Sequence, residues 1–237
     1  MRVFRCIILF LFLKLNPLAS QSELGISGGL NLVQGDLGGS QFNGAYRFWD
    51  VDLPTLRPYF SASYRIRKSQ FSTFRYRLEV SYSFISSSDK FAGNPDIRKR
   101  DVSMEGGHFD INTIVDFYPF EYSNLHLFIG VGFGNSTVNV HKGKTNNNYQ
   151  HNENYLSIPI GGAISVGYIK GYHCEIELML HGLNTDLYDG YTDLNSKSND
   201  TYTYFGIKLL KDIGGLNSNK KQNKAYRKYG KFYCPRF

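Results

Sequence analysis

The chain has 237 residues and a formal net charge of +7, with 27 Lys and Arg against 20 Asp and Glu. The basic excess belongs to the two ends, because residues 21–210 carry 16 basic and 19 acidic side chains, and this excludes a basic nucleic-acid-binding body. The length suits one domain with a tail rather than two domains, and 18 Tyr and 18 Phe favour β-strands and interfacial aromatic girdles.

Residues 1–20 have the pattern of a secretory signal peptide. Two arginines precede an apolar stretch from Cys6 to Leu13, and small residues offer a cleavage site before Gln21. The stretch is too short to span a membrane as a helix, and the chain has no longer apolar run elsewhere. We therefore expect an exported protein that can enter a bilayer only as a closed barrel.

Residues 21–210 alternate apolar and polar side chains in eight bursts, which predict eight antiparallel strands. In the third burst Tyr76, Leu78 and Val80 share one parity, whereas Arg77 and Glu79 occupy the other. The predicted strands are residues 23–33, 57–67, 74–84, 109–117, 125–134, 156–168, 172–181 and 202–209.

The connections between these strands alternate between long and short. This order is typical of transmembrane barrels in the outer membrane, which have long external loops and short periplasmic turns. A soluble β-sandwich also has strands with one apolar face, but the repeated loop order favours the barrel. The prediction is an all-β, eight-stranded antiparallel barrel of residues 21–210 in the cell outer membrane, in contact with its lipid.

The long connections are predicted to be soluble external loops. Residues 135–154 form an Asn-rich polar stretch, and residues 85–107 contain several charges. In the fourth loop Asp186, Asp189 and Asp193, with two asparagines, suggest either a calcium site or a solvated surface. The solvated surface is favoured because the closing Glu of a calcium loop is absent.

Charged residues fall on the inward parity of several strands. One interpretation makes Glu175, Glu177 and His181 an acid/base set. The other is an ion-pair network that fills the narrow lumen of an eight-stranded barrel, and it is favoured because such a lumen leaves no substrate cleft. The predicted network consists of Arg65, Arg75, Arg77, Glu79, Asp110, Glu175 and Glu177.

The sequence offers no pattern typical of an enzyme. It contains no nucleophile elbow, phosphate loop, zinc-protease motif or paired Cys-x-x-Cys, so we expect no catalytic residue, no cofactor and no metal site. An enzyme acting on lipid would need a nucleophile and a base on the outer face. That face offers Thr113 and Cys174 without a neighbouring His or carboxylate.

Residues 211–237 form a basic, aromatic tail that an even strand number places in the periplasm. Such a tail is either a disordered solvated end or a segment that docks on a partner, since exposed aromatic residues are costly. The residues predicted to bind a partner are Lys220, Lys221, Lys224, Tyr226, Arg227, Tyr229, Phe232, Tyr233 and Phe237.

Four segments carry a resemblance to a known family. They are residues 23–29 leading into Gln34-Gly35-Asp36-Leu37, then residues 125–132, residues 157–162 and residues 185–189. Together they resemble the PorG-like outer-membrane barrels of the Bacteroidetes type IX secretion system, and the likeness covers most of residues 21–210.

The resemblance implies a structural component of a protein-export machine rather than an enzyme. Barrels of that family associate with a periplasmic lipoprotein ring and help to attach it beneath the outer membrane. The expected partners are therefore that lipoprotein and other secretion components, with no nucleic acid. The alternative is a general small outer-membrane barrel with a structural or adhesive role.

Overall fold

The computed structural model describes most of the barrel and none of the first twenty residues or the end of the tail. The described residues are 21–34, 37, 55–67, 73–91, 95–119, 124–144, 147–169, 172–188, 190 and 200–213. They contain eight strands: β1 (Gln21–Gln34), β2 (Arg57–Arg67), β3 (Phe74–Ser88), β4 (Val102–Phe117), β5 (Leu125–Lys142), β6 (Asn147–Ile169), β7 (Tyr172–Leu183) and β8 (Thr201–Asp212). A 3-10 turn (Asp89–Phe91) and a short helix α1 (Pro95–Arg98) lie between β3 and β4.

Each strand pairs antiparallel with the next, and β1 pairs with β8, so the sheet closes on itself. The closing register places Ser27 opposite Lys208. Closure leaves no open edge along the paired segments, which is the condition for β-structure to lie in lipid. The predicted eight-stranded antiparallel barrel is confirmed. Within the described residues, no helix is long and apolar enough to cross a membrane.

The outer surface of the barrel carries an apolar band of the height that a bilayer requires. On β3 the side chains from Phe74 to Phe84 alternate between exposed aromatic or aliphatic residues and buried polar ones. This stretch of eleven residues matches the length of a tilted transmembrane strand. On β5, Val131 is 66% exposed while the next inward positions are buried.

The interior of this band is polar and charged, which is the reverse of a soluble core. Arg65, Arg77, Glu79, Glu175 and Lys208 are at most 1% exposed. A soluble β-sandwich would bury the apolar parity and expose these charges to water. The observed arrangement is that of a transmembrane barrel in the outer membrane.

Above the membrane the parity of the apolar residues is inverted. On β5 the outward side chains change from Phe133 to Asn135 and Thr137, whereas the inward ones change to Val138 and Val140, both fully buried. The wall is therefore apolar outside and polar inside within lipid, and polar outside and apolar inside where it meets water.

The inverted region corrects two loop predictions. Residues 135–154 are for the most part not a loop, because they continue β5 to Lys142 and form the start of β6 from Asn147. Much of the stretch 85–107 also belongs to strands, since β3 reaches Ser88 and β4 begins at Val102. The physical reason is the buried apolar face on the inward parity, which stabilises the strands beyond the bilayer.

At the periplasmic end, β8 continues to Asp212, so the first two residues of the predicted tail lie in the barrel wall. Near that end the pairing of β6 with β7 shifts between Ser165 and Gly167, where Gly167 has a φ of 136°. Glycine tolerates this conformation, and the bulge lets β6 bend towards its short connection with β7. The predicted signal peptide and the predicted partner-binding residues of the tail lie outside the described residues.

Candidate functional site

The lumen is filled by tiers of polar side chains that cross the barrel. The tiers are counted from the periplasmic end of the barrel. In the first, Arg65 on β2 donates two hydrogen bonds to Glu175 on β7, at 3.1 and 3.0 Å. Its Nε lies 2.8 Å from Asp116 on β4, and its Nη1 lies 3.4 Å from Glu23 on β1. One guanidinium therefore connects four strands, and its bidentate geometry is the strongest form of such a contact.

The second tier surrounds Arg77 on β3. Its Nη1 donates to Glu177 at 2.5 Å and lies 3.4 Å from Glu79, while its Nη2 lies 3.2 Å from Asp116. Lys208 on β8 donates to Glu79 and to Glu177, each at 2.7 Å. Asp116 thus joins this tier to the one below. Three buried cations and their carboxylates form a continuous network inside a medium where an unpaired charge would be costly.

Aromatic hydroxyls complete this second tier. Tyr59 donates to Glu79 at 3.0 Å, and Tyr204 donates to Glu177. The two tyrosine rings stack with their centroids 3.9 Å apart. They belong to an apolar cluster with Ile114, Phe128, Ala163 and Met179, which occupies the lumen beside the ion pairs.

A third tier lies at the outer end of the membrane band and is centred on Asp110. Tyr155 and Tyr202 donate to the two oxygens of this carboxylate at 2.7 and 3.0 Å. The Nε2 of His108 lies 3.1 Å from Asp110, and Tyr202 also bonds Nδ1 of His181 at 2.7 Å. Asp110 therefore belongs to this tier, whereas Arg77 and Glu79, which the predicted network groups with it, lie in the tier below.

Above the third tier, an apolar cluster closes the external mouth. Its members are Val33, Leu37, Ile85, Val102, Met104, Val138, Val140, Tyr155, Leu183, Tyr188 and Tyr202. Tyr188 reaches this cluster from the segment after β7 and is fully buried. It bonds His108, and its ring meets Tyr155 edge-on at 5.1 Å. Burial raises the pKa of Tyr188 well above its ordinary value, so the hydroxyl stays protonated.

Inward glycines on β5 make room for these tiers. A Cβ at Gly134 would lie 2.3 Å from Asp110 and 2.5 Å from Tyr155, and one at Gly132 would lie 2.0 Å from Asn112. At these two positions, the space is taken by side chains of the adjacent strands β4 and β6.

The structure places the predicted lumen residues in different tiers. Five of them, Arg65, Arg77, Glu79, Glu175 and Glu177, belong to the two connected lower tiers. Arg75 lies below them at the periplasmic mouth, 3.8 Å from Glu23 and over the Tyr118 ring at 3.8 Å. Sequence reasoning missed Lys208 and Tyr204, although their inward parity and polar ends were a usable signal.

The structure does not bring the suggested acid/base residues together. Glu175 and Glu177 bond different cations, and His181 bonds Tyr202 in the tier above. Cys174 has the lipid-facing parity but is only 6% exposed and is a free thiol. In the part of the chain that the structure describes, no three His, Cys, Asp or Glu side chains are grouped as metal ligands.

The suggested calcium loop is only partly described. Asp189, Asp193 and Asn195 lie outside the described residues. Asn184 is described, and its Oδ1 accepts the backbone N–H of Leu156 at 2.7 Å.

Neither the known protein families nor the curated proteins contain a match to this sequence. Among solved structures, it is similar to the attachment invasion locus protein Ail of Yersinia pestis, with 11% identity, a TM-score of 0.42, and coverage of 81% of this chain and 99% of Ail. Neisserial surface protein A has 10% identity and a TM-score of 0.41, with 82% and 99% covered. A major outer membrane protein of Thermus thermophilus has 8% identity and a TM-score of 0.47, with 80% and 99% covered.

Proposed function

We propose that the protein is a non-enzymatic structural barrel of the outer membrane whose lumen is closed to solutes. The observation that carries this proposal is the continuous ion-pair network from Glu23 to Lys208, with the Asp110 tier and the apolar mouth above it. These side chains occupy the space that a channel or an active site would need. An eight-stranded wall leaves no further room.

A more specific role is support of the periplasmic ring of a type IX secretion system. The PorG-like segments and the basic, aromatic tail favour this role over a purely adhesive one. Because β8 ends at the side of the short connections, we expect the residues that follow Asp212 to extend beneath the membrane. The tail combines basic and aromatic side chains, a composition suited to contact with a periplasmic lipoprotein.

The experiment removes residues 220–237 from the full-length protein in its own cells. We expect a folded, heat-modifiable barrel in the outer membrane that no longer co-purifies with the periplasmic ring. A matched variant keeps the tail length and the basic residues but replaces Tyr226, Tyr229, Phe232 and Tyr233 with Ser. Loss in both variants supports aromatic docking.

Unchanged co-purification and unchanged protein export in both variants would contradict the secretion role. The adhesive alternative is then tested with a deletion of the whole gene. Loss of surface attachment with normal export would favour that alternative. Neither result depends on the closed lumen, which is tested separately by conductance.

A further inference from the structure

The outer wall of the barrel contains a groove at the level where the lipid headgroups lie. It has a volume of about 580 Å³ and runs across the outward faces of β3, β4 and β5. Its lower part is lined by the aromatic rings of Tyr82, Phe84 and Phe109, and its upper part by Asn135, Thr137 and Asn139. The groove therefore begins in the apolar band and ends in the polar wall above it.

A glycine and a step in the wall create the groove. Gly107 pairs with Phe84 on one side and with Thr137 on the other, and it lets the Tyr82 ring lie flat against the wall there, since a Cβ would come within 2.5 Å of the Tyr82 hydroxyl. Beside it, β2 reaches up to Arg57, whereas β3 continues to Ser88, so among the described strands β3 extends further from the membrane than β2. Pro58 and Arg57 line this lower edge.

The aromatic residues form an exposed apolar platform. Tyr82, Phe84 and Phe109 are 44–45% exposed, and the first two rings meet edge-on with their centroids 5.3 Å apart. Aromatic rings of a barrel lie at the interfaces between lipid and water. A ligand seated here is therefore part of the outer leaflet or directly above it.

The polar part of the groove offers donors and acceptors with little net charge. Asn139 and Glu105 are exposed, and Thr137 is half-exposed. Amides, hydroxyls and a carboxylate bond the hydroxyl groups of a sugar, whose C–H faces pack on aromatic rings. The cation Arg57 donates to the carbonyl of Leu56 and to Ser86 Oγ, at 3.0 and 3.1 Å.

The charges that line the groove favour a sugar over a phosphate as its ligand. Phosphate recognition uses clustered cations, above all Arg in a bidentate arrangement. Here a single guanidinium at one edge faces one carboxylate, Glu105, at the other. The height of the groove and its neutral polar lining together indicate the sugar headgroup of a membrane lipid.

We propose that this groove binds the sugar headgroup of a glycolipid in the outer leaflet. The aromatic platform packs against the sugar nearest the membrane, and Asn139, Thr137 and Glu105 bond its hydroxyls. Bound glycolipid would tie the β3–β5 side of the barrel to the leaflet. This inference goes beyond the proposed structural role and does not depend on the secretion partner.

The experiment measures lipid retention by the purified, full-length folded barrel with native mass spectrometry. The probes are rough-type lipopolysaccharide and lipid A, which both carry sugars at the membrane surface, and phosphatidylglycerol, which carries a phosphate without a sugar. We expect selective retention of the two sugar-bearing lipids. Asn139→Ala should weaken it about three- to tenfold, as expected from the loss of one hydrogen bond. Gly107→Val should weaken it further by displacing the Tyr82 ring from the platform.

Gln150→Ala is the matched control. Gln150 pairs with Asn139 in the register of β5 and β6, is exposed at the same height, and does not line the groove. It should leave retention unchanged, and gel mobility on heating checks that every variant is folded. Equal loss with Gln150→Ala, or equal retention of phosphatidylglycerol, would overturn the proposal. If Gly107→Val does not fold, Asn139→Ala against Gln150→Ala decides the matter.

Discussion

Arg65 and Glu175 join two sides of the barrel through parallel hydrogen bonds of 3.1 and 3.0 Å. They lie 110 residues apart in the chain, on β2 and β7, with β1 and β8 between those strands in the wall. Neither side chain is exposed. The pair therefore connects strands that share no backbone hydrogen bonds and fixes the cross-section of the lumen.

Arg65→Met is expected to destabilise the folded barrel by about 3 to 5 kcal/mol, because it leaves buried carboxylates without their cation. Urea unfolding in detergent, followed by gel mobility, measures the change. Lys99→Met is the matched control, since the Lys99–Asp96 pair has exposed side chains and should contribute no measurable stability. Equal loss in the two variants would contradict the structural role of the lumen network.

The intact protein is expected to show no stable conductance in planar bilayers. The tiers around Arg77 and Asp110 fill the lumen, and the apolar cluster closes its outer end. Single-channel recording at both polarities measures this directly. Large, steady steps like those of a porin would show that water and ions pass through a lumen that the structure fills with side chains.

Tyr188→Ala is expected to open the external mouth without unfolding the membrane band. The variant removes a fully buried ring and its bond to His108, at a cost of about 3 kcal/mol typical of large-to-small changes. Hydrogen exchange should accelerate at the amides of Val138 and Val140 and stay slow at Ile129.

Leu187→Ala serves as the control for that experiment. Leu187 precedes Tyr188 but is 39% exposed, so its truncation should leave hydrogen exchange unchanged. Faster exchange at Ile129 in the Tyr188 variant would mean that the mouth and the membrane band unfold together. The separation of the two regions would then be wrong.

The membrane band could be predicted from the sequence because one rule governs it. Side chains such as Tyr76, Leu78 and Val80 follow period two, and lipid requires the apolar parity to face outward. The same rule led to the wrong prediction of loops where the strands continue above the membrane. In Asn135 to Val140 the alternation continues with the apolar residues on the opposite parity, so a pattern sought on the lipid-facing parity reads as a polar loop.

The partners within the lumen could not be predicted from parity alone. Inward parity shows only that Asp110 and Glu79 both face the lumen. The stagger of neighbouring strands decides which tier each one joins. Asp110 lies at the height of Tyr155 and Tyr202, whereas Glu79 lies at the height of Lys208. The Arg65–Glu175 pair depends in addition on closure, which brings β2 and β7 across the same space.

The apolar outer face ends between Phe133 and Asn135, and the depth of two labels on β5 tests where this boundary lies. Single cysteines at Val131 and Asn139, in a background with the native cysteines replaced, carry the same environment-sensitive fluorophore in a reconstituted bilayer. Both side chains point outward, eight residues apart. We predict that spin-labelled acyl chains quench the label at position 131 and that aqueous iodide quenches the one at 139. Quenching of both labels by iodide alone, or the reverse assignment, would show that the apolar face does not end between these residues.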